Sequence, residues 1–185
     1  MPRIPPVDPG RLTPEQAAVH ERIASGARGS VRGPFAVLLH SPELAGFVEQ
    51  LGAYVRYRCR IPKRQREIAI LVVAAHWRAS YEWEAHAPIA RGEGVPDEII
   101  AAIAAESEPP FEDERDRLVH TFARESLAGR RVSDATFAGC REAFGEAGAV
   151  DLAGLVGYYT LLALAINALE VEPPAGRPFD IPCPR

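Results

Sequence analysis

Apolar positions along this chain recur at helical spacing, as in the stripe Ile68, Leu71, Val72 and Ala75, and no window shows a run of alternating, β-branched strand residues. The pattern predicts an all-α fold. Thr13, Pro14 and Gln16 combine an N-cap, a proline at the first helical position and a capping-box glutamine, which opens a helix closing at Gly26. Ser41, Pro42 and Glu43 repeat the device and start a helix toward Arg58. Pro62 precedes a third helix from about Lys63 to Arg78; Ser80 caps a short one from Tyr81 to Arg91, which Gly92 and Gly94 stop. Further helices are expected from Pro96 to before Pro109, from Phe111 to Leu127, from Ser133 to Phe144 and from about Val150 to Leu169. The helices at 42–58 and 63–78 can pack as an αα-hairpin. Residues 1–12 and the tail at 172–185, with five prolines in its fourteen residues, read as extended. No internal repeat or long linker interrupts the pattern, so residues 1–185 read as a single domain.

Composition narrows the possible partners. At 47% hydrophobic and 25% charged residues, the chain can bury an ordinary globular core. A formal charge of -4, with the arginines scattered among acids, supplies no basic field for a phosphate backbone and argues against nucleic acid. Cys59, Cys140 and Cys183 form neither a CxxC pair nor a metal-ligand spacing, which reads as reduced thiols in a cytoplasmic protein. The opening MPRIPPVDPG has no apolar signal core. Leu152 to Leu169 runs eighteen residues without a charge, but Gly154, Gly157, Tyr158, Tyr159 and Asn167 interrupt it and no cationic flank sets a topology. A core or subunit-interface helix is expected there rather than a membrane span.

Chemistry concentrates between Arg66 and Gly94. Glu82 and His86 lie four apart on one helix, so their side chains share a face. Glu82 falls in the first turn, where the helix dipole favours an ionised carboxylate, and His86 beside it can donate or accept a proton near neutral pH. A helix hairpin can bring Glu67, from the preceding helix, into the same pocket as a further acid or base. Two blander readings stand beside this one: Glu67 pairs with Arg64 or Arg66 at a helix end, and Glu82 with His86 forms a solvated intrahelical pair worth a few tenths of a kcal/mol. His76, inside an apolar run, reads as a packed core histidine. Trp83 reads as core, interface or pocket wall. A metal site of Glu67, Glu82 and His86 has one histidine and no HxxxH or HxH spacing, so no metal is expected.

At these residues the chain resembles the carboxymuconolactone decarboxylase family, which also contains the alkylhydroperoxidase D type proteins. The resemblance runs from Pro34 to about Val171. It is carried by the blocks RGPFAVLLHSPELA, REIAIL, YEWEAHAPIARGEGV, RRVSDATFA and DLAGLVGYYTLLALAINALEV in that order. It implies a bundle of about seven to nine helices that assembles as dimers, trimers or hexamers, with the site near a subunit interface. In the peroxidase branch, a glutamate stands where Glu67 does and a histidine where His86 does. The redox CxxC of that branch falls on Ala79 and Glu82, and its intervening histidine on Tyr81. Both sulfurs are absent here, and thiol–disulfide exchange needs an attacking thiolate and a resolving sulfur, so a dithiol peroxidase mechanism at this pocket is excluded.

The decarboxylase resemblance implies chemistry without a cofactor on a small carboxylated lactone or related unsaturated acid, by decarboxylation or isomerisation. Under it His86 is the acid, Glu67 orients or recharges it, Tyr81 donates to the developing oxyanion, and Glu82 tunes His86 or serves as base. Arg64, Arg66 or Arg56 hold the substrate carboxylate, with Trp83 as a pocket wall. Two other readings compete: a peroxidase using Cys59 outside any CxxC, and a member that binds a small ligand without turning it over.

Overall fold

A helix buried on one side shows a stripe; a helix buried on all sides shows a run. The segment from Gln65 to Ala75 is such a run, and every one of its side chains is buried. The computed structural model of the chain describes residues 3–129 and 131–173. Among them are eight α-helices, a 3-10 turn at Pro9–Arg11 and no strand. The helices are α1 Pro14–Ser25, α2 Pro34–Leu38, α3 Pro42–Tyr57, α4 Lys63–Trp77, α5 Ser80–Gly92, α6 Asp97–Ala104, α7 Glu114–Ala128 and α8 Asp134–Leu169. The all-α expectation holds.

The central helix is α4, enclosed by α5, α6, α7 and α8. The stripe expected at Ile68, Leu71, Val72 and Ala75 understated its burial, because opposite faces of α4 meet different neighbours. Burial on this scale forces its polar residues to find partners. Gln65 Nε2 donates to Asp116 Oδ1 of α7 at 2.8 Å, and Arg64 holds Asp116 Oδ2 at 2.7 Å. The expected hairpin of α3 on α4 is not how α3 packs; it lies on α1, α2 and α8. Its end is tied to α8 by Asp151, which accepts from Tyr54 Oη at 2.6 Å and from the Arg60 backbone N–H at 2.8 Å.

The punctuation read from the sequence places most boundaries. Thr13 and Gln16 form the reciprocal capping box of α1, and Gly26 is its C-cap. Ser133 Oγ accepts from Thr136 N–H to start α8. The two helices expected at 133–144 and 150–169 follow each other directly within α8, separated at Gly145, whose φ of 74° and ψ of 171° no helix contains. By length and composition α8 could cross a membrane, but 56% of its apolar window is buried inside the structure, as a core helix requires. Its uncovered side carries Val150, Leu161 and Leu164, and α3 carries exposed Leu44, Phe47 and Leu51.

Two features escaped the pattern. Helix α2 is little more than a single turn, with Gly33 before it and Pro34 as its first residue, too short to show a period. His76 was expected in the core and is exposed, because it sits in the last turn of α4 with its ring edge-on to Trp77. The N-terminal segment is extended apart from the 3-10 turn. Its Arg3 N–H donates to Leu169 O at 3.1 Å and its Val7 N–H to Ala36 O at 2.9 Å, which clips it across α2 and the end of α8. Of the tail expected to be extended, residues 174–185 lie outside the described residues.

Candidate functional site

Two residues, Arg78 and Ala79, separate α4 from α5, and Arg78 adopts the left-handed conformation (φ 52°, ψ 38°) that reverses the chain. The reversal lays α5 against α4 and faces Glu67 toward His86. His86 Nδ1 lies 2.6 Å from Glu67 Oε2, and both side chains are buried. An ionised Glu67 can only accept, which puts the hydrogen of this bond on Nδ1 and leaves Nε2 outside the pair. This pair replaces the expected contact between Glu82 and His86: the imidazole turns across to α4 rather than back along its own helix.

His86 stands in the wall of a cavity of about 670 Å³. The loop before α2 contributes Arg28, Arg32 and Gly33; the end of α3 contributes Arg56 and Tyr57. Tyr81, Glu82 and His86 come from α5, and Tyr158, Tyr159 and Leu162 from α8. Gly33 has φ 58°, and a Cβ there would overlap the Tyr81 ring, so glycine lets the loop lie directly on the phenol. Among the described residues, no carboxylate pairs with Arg28, Arg32 or Arg56. Arg28 instead donates to Tyr158 Oη at 3.1 Å and sits 4.2 Å above the Phe35 ring, with its Nε buried and unpartnered. Three arginines with no paired carboxylate line a cavity whose wall also carries Glu82 and Glu172.

The cavity floor is different in character. Glu82 is 3% exposed, and neither carboxyl oxygen has a hydrogen-bond partner. Burial pushes its pKa well above the ordinary carboxylate value of 4.5. The ionised Glu82 expected from its place in the first turn is therefore corrected: loss of water outweighs the helix dipole. Tyr159 is 1% exposed, its hydroxyl is also unpartnered, and its ring meets His86 edge-on with centroids 5.2 Å apart. Burial raises its phenol well above 10.0, with Arg56 pulling the other way and the carboxyls of Glu67 and Glu82 adding to the rise. Tyr81 is partly buried; burial raises its phenol too, against the opposing charges of Arg32, Arg28 and Arg56.

The structure thus lines one cavity with Tyr81, Glu82 and His86, sets Glu67 behind His86 rather than in the wall, and leaves Arg64, Arg66 and Trp83 away from it. Arg64 faces α7, where Asp116, itself 1% exposed, holds it, and it also donates to the Gly94 carbonyl. Arg66 is buried with Nη1 3.7 Å from Cys59 Sγ. Trp83 is buried in the core, because one step along α5 turns the side chain about 100° from Glu82. Arg56 is the one of the three suggested arginines that reaches the cavity. Arg28, Arg32, Tyr158 and Tyr159 were not singled out as site residues. The adjacent tyrosines in the apolar run at 152–169 were a usable signal, since a buried phenol needs a reason; the loop arginines carried none. Cys59 is half-buried away from the cavity, with Sγ donating to Val55 O at 3.0 Å. No group of three or more His, Cys, Asp or Glu among the described residues is arranged to hold a metal ion.

Residues 42–124 match the carboxymuconolactone decarboxylase family. The fold is similar to an alkylhydroperoxidase D core structure, a peroxidase-related protein from Ralstonia eutropha JMP134: TM-score 0.75, 19% identity, 93% of this chain and 92% of that one covered. A peroxidase-related protein from Silicibacter sp. TM1040 aligns with TM-score 0.73 and 19% identity over 93% and 90% of the two chains. The debrominase Bmp8 in complex with 2,3,4-tribromopyrrole aligns with TM-score 0.73 and 16% identity over 94% and 92%. No curated protein matches by sequence.

Proposed function

From the match of residues 42–124 to the carboxymuconolactone decarboxylase family and the alkylhydroperoxidase D-like fold, we propose that the chain is a member of that superfamily and a cofactor-free acid-base enzyme. Its substrate is a small carboxylated lactone or related unsaturated acid, which it decarboxylates or isomerises. One observation carries the reading: His86, in the wall of a cavity that Arg28, Arg32 and Arg56 also line, is held from behind by buried Glu67 at 2.6 Å.

The chemistry follows from the positions. The arginines hold a carboxylate at the mouth and orient the molecule over His86. In decarboxylation the bond to the leaving carboxyl carbon breaks, carbon dioxide departs, and the electron pair moves through the conjugated system onto the lactone oxygen as an enolate. A proton from His86 then adds to carbon, the carbonyl re-forms, and water recharges the imidazole. In isomerisation His86 takes a proton from one carbon and returns it to another. Glu67 stabilises the imidazolium in both cases and fixes which nitrogen reacts. The exposed apolar residues of α3 and α8 support the accompanying reading that copies of the chain associate.

The test is a panel of small unsaturated carboxylated lactones in deuterated buffer, followed by NMR for deuterium incorporation and by carbon dioxide release. His86→Gln and Glu67→Gln are each expected to lower the rate about a hundredfold or more with the helical circular dichroism intact. Wild-type rates in both variants, or no exchange and no gas with any compound, would reject the reading.

A further inference from the structure

The mechanism above leaves two cavity-wall groups without work. Glu82 comes from α5 and Tyr159 from α8, and they flank His86 from two directions. Neither Glu82 oxygen nor the Tyr159 hydroxyl has a hydrogen-bond partner, and all three atoms are buried, on side chains that line the cavity. Each unmade hydrogen bond is a cost that a folded protein ordinarily avoids. Two such groups on one cavity, on neighbouring elements, are better explained by a shared absent partner than by two separate defects.

The chemistry of that partner follows from what the groups can offer. A carboxylate sealed from water with no cation or donor in contact is not sustainable, so Glu82 carries its proton and presents an O–H. Tyr159 presents a second O–H. They do not bond to each other. Two neutral donors on the wall of one cavity, with the Arg56 charge acting on Tyr159, suit an oxygen that is neutral in the ground state and gains negative charge as the reaction proceeds, as a carbonyl becoming an enolate does. A permanent carboxylate goes instead to the arginines of the mouth, where full charges balance.

Resting on the acid-base reading above, we infer that Glu82 and Tyr159 together form the oxyanion subsite of this cavity and bind the carbonyl oxygen of a substrate that reacts through an enolate. This moves the role expected of Tyr81 to Tyr159. Tyr81 lies against Gly33 and the cluster of Val37, Ile166 and Val171, toward the loop, whereas Tyr159 touches His86. It also makes Glu82 a hydrogen-bond donor, with His86 as the base or acid. The substrate class is then a conjugated carbonyl compound with its carboxylate at the opposite end from the carbonyl.

Substituted phenols of graded acidity test the subsite without turnover, because a phenolate has the charge and geometry of an enolate. The full-length protein is titrated with phenol, 4-chlorophenol and 4-nitrophenol by calorimetry, with absorbance reporting the ionisation of bound 4-nitrophenol and toluene as the control of equal shape. Affinity is expected to rise with phenol acidity. Glu82→Leu and Tyr159→Phe should each weaken 4-nitrophenol about tenfold or more while leaving toluene unchanged, and Glu82→Gln, which keeps a donor, should recover part of the loss. Wild-type affinity in both Glu82→Leu and Tyr159→Phe overturns the inference, as does loss of binding in Arg56→Met alone, which would put the phenolate at the mouth. Either outcome is independent of deuterium exchange: exchange that depends on His86 without phenol binding at Glu82 and Tyr159 removes the subsite and leaves the acid-base reading standing.

Discussion

Glu82→Gln offers a sharp test of the electrostatics of the cavity floor. Glutamine has the shape of a protonated glutamic acid and cannot ionise, so the exchange removes one property, the charge. Burial holds the folded-state pKa of Glu82 well above 4.5, which is where the unfolded chain titrates. Below about pH 4.5 the group is protonated in both states and contributes its full share of stability. As pH rises from there through the folded-state pKa, the unfolded chain gains the charge freely while the folded protein resists it, and stability is lost. Each unit by which the folded pKa exceeds 4.5 is worth about 1.4 kcal/mol. For a domain of this size that corresponds to roughly 3–6 °C in Tm per unit. The assay is a thermal melt of both proteins at about pH 4, 6 and 8, with the difference in Tm as the readout. The variant should match wild type at the acid end and melt progressively higher than it toward alkaline pH. A difference that stays flat across the range would mean that Glu82 ionises as freely in the folded protein as in water, and the neutral donor assigned to it would fail.

Two further outcomes follow from the packing. A Cβ on Gly52 would overlap the Tyr158 hydroxyl and the Arg28 guanidinium, so Gly52→Ala should cost about 1–3 kcal/mol and lower Tm by roughly 2–12 °C in calorimetry; an unchanged Tm would show that these side chains can step aside. Cys59→Ser, away from the cavity wall, should leave lactone turnover at the wild-type rate and insensitive to thiol alkylation, and a drop of about tenfold or more would return the thiol to the reaction.

Local chemistry decided much of this protein. A capping box at Thr13, proline at the start of α3 and a glycine after α1 act over three or four residues, so their effects are legible without the rest of the chain. The same holds for Glu67 and His86, whose residue types on two successive helices limit what they can do. Contacts made across the fold were another matter. The i,i+4 spacing of Glu82 and His86 allowed a pair, but an imidazole has one position to take, and the packing of α5 on α4 gave it to Glu67. That choice stripped Glu82 of its partner and reversed its preferred protonation state. The arginines behaved likewise: Arg64 was claimed by Asp116, more than fifty residues away in α7, while Arg28 and Arg32 arrived from an aperiodic loop. Tyr159 became part of the site only because α8 packs on α4 and brings its ring against His86. The sequence by itself determined which helices form and which chemical groups they carry. Only the tertiary structure decided which of those groups meet and which lose their water, because desolvation and pairing depend on neighbours that no local window contains.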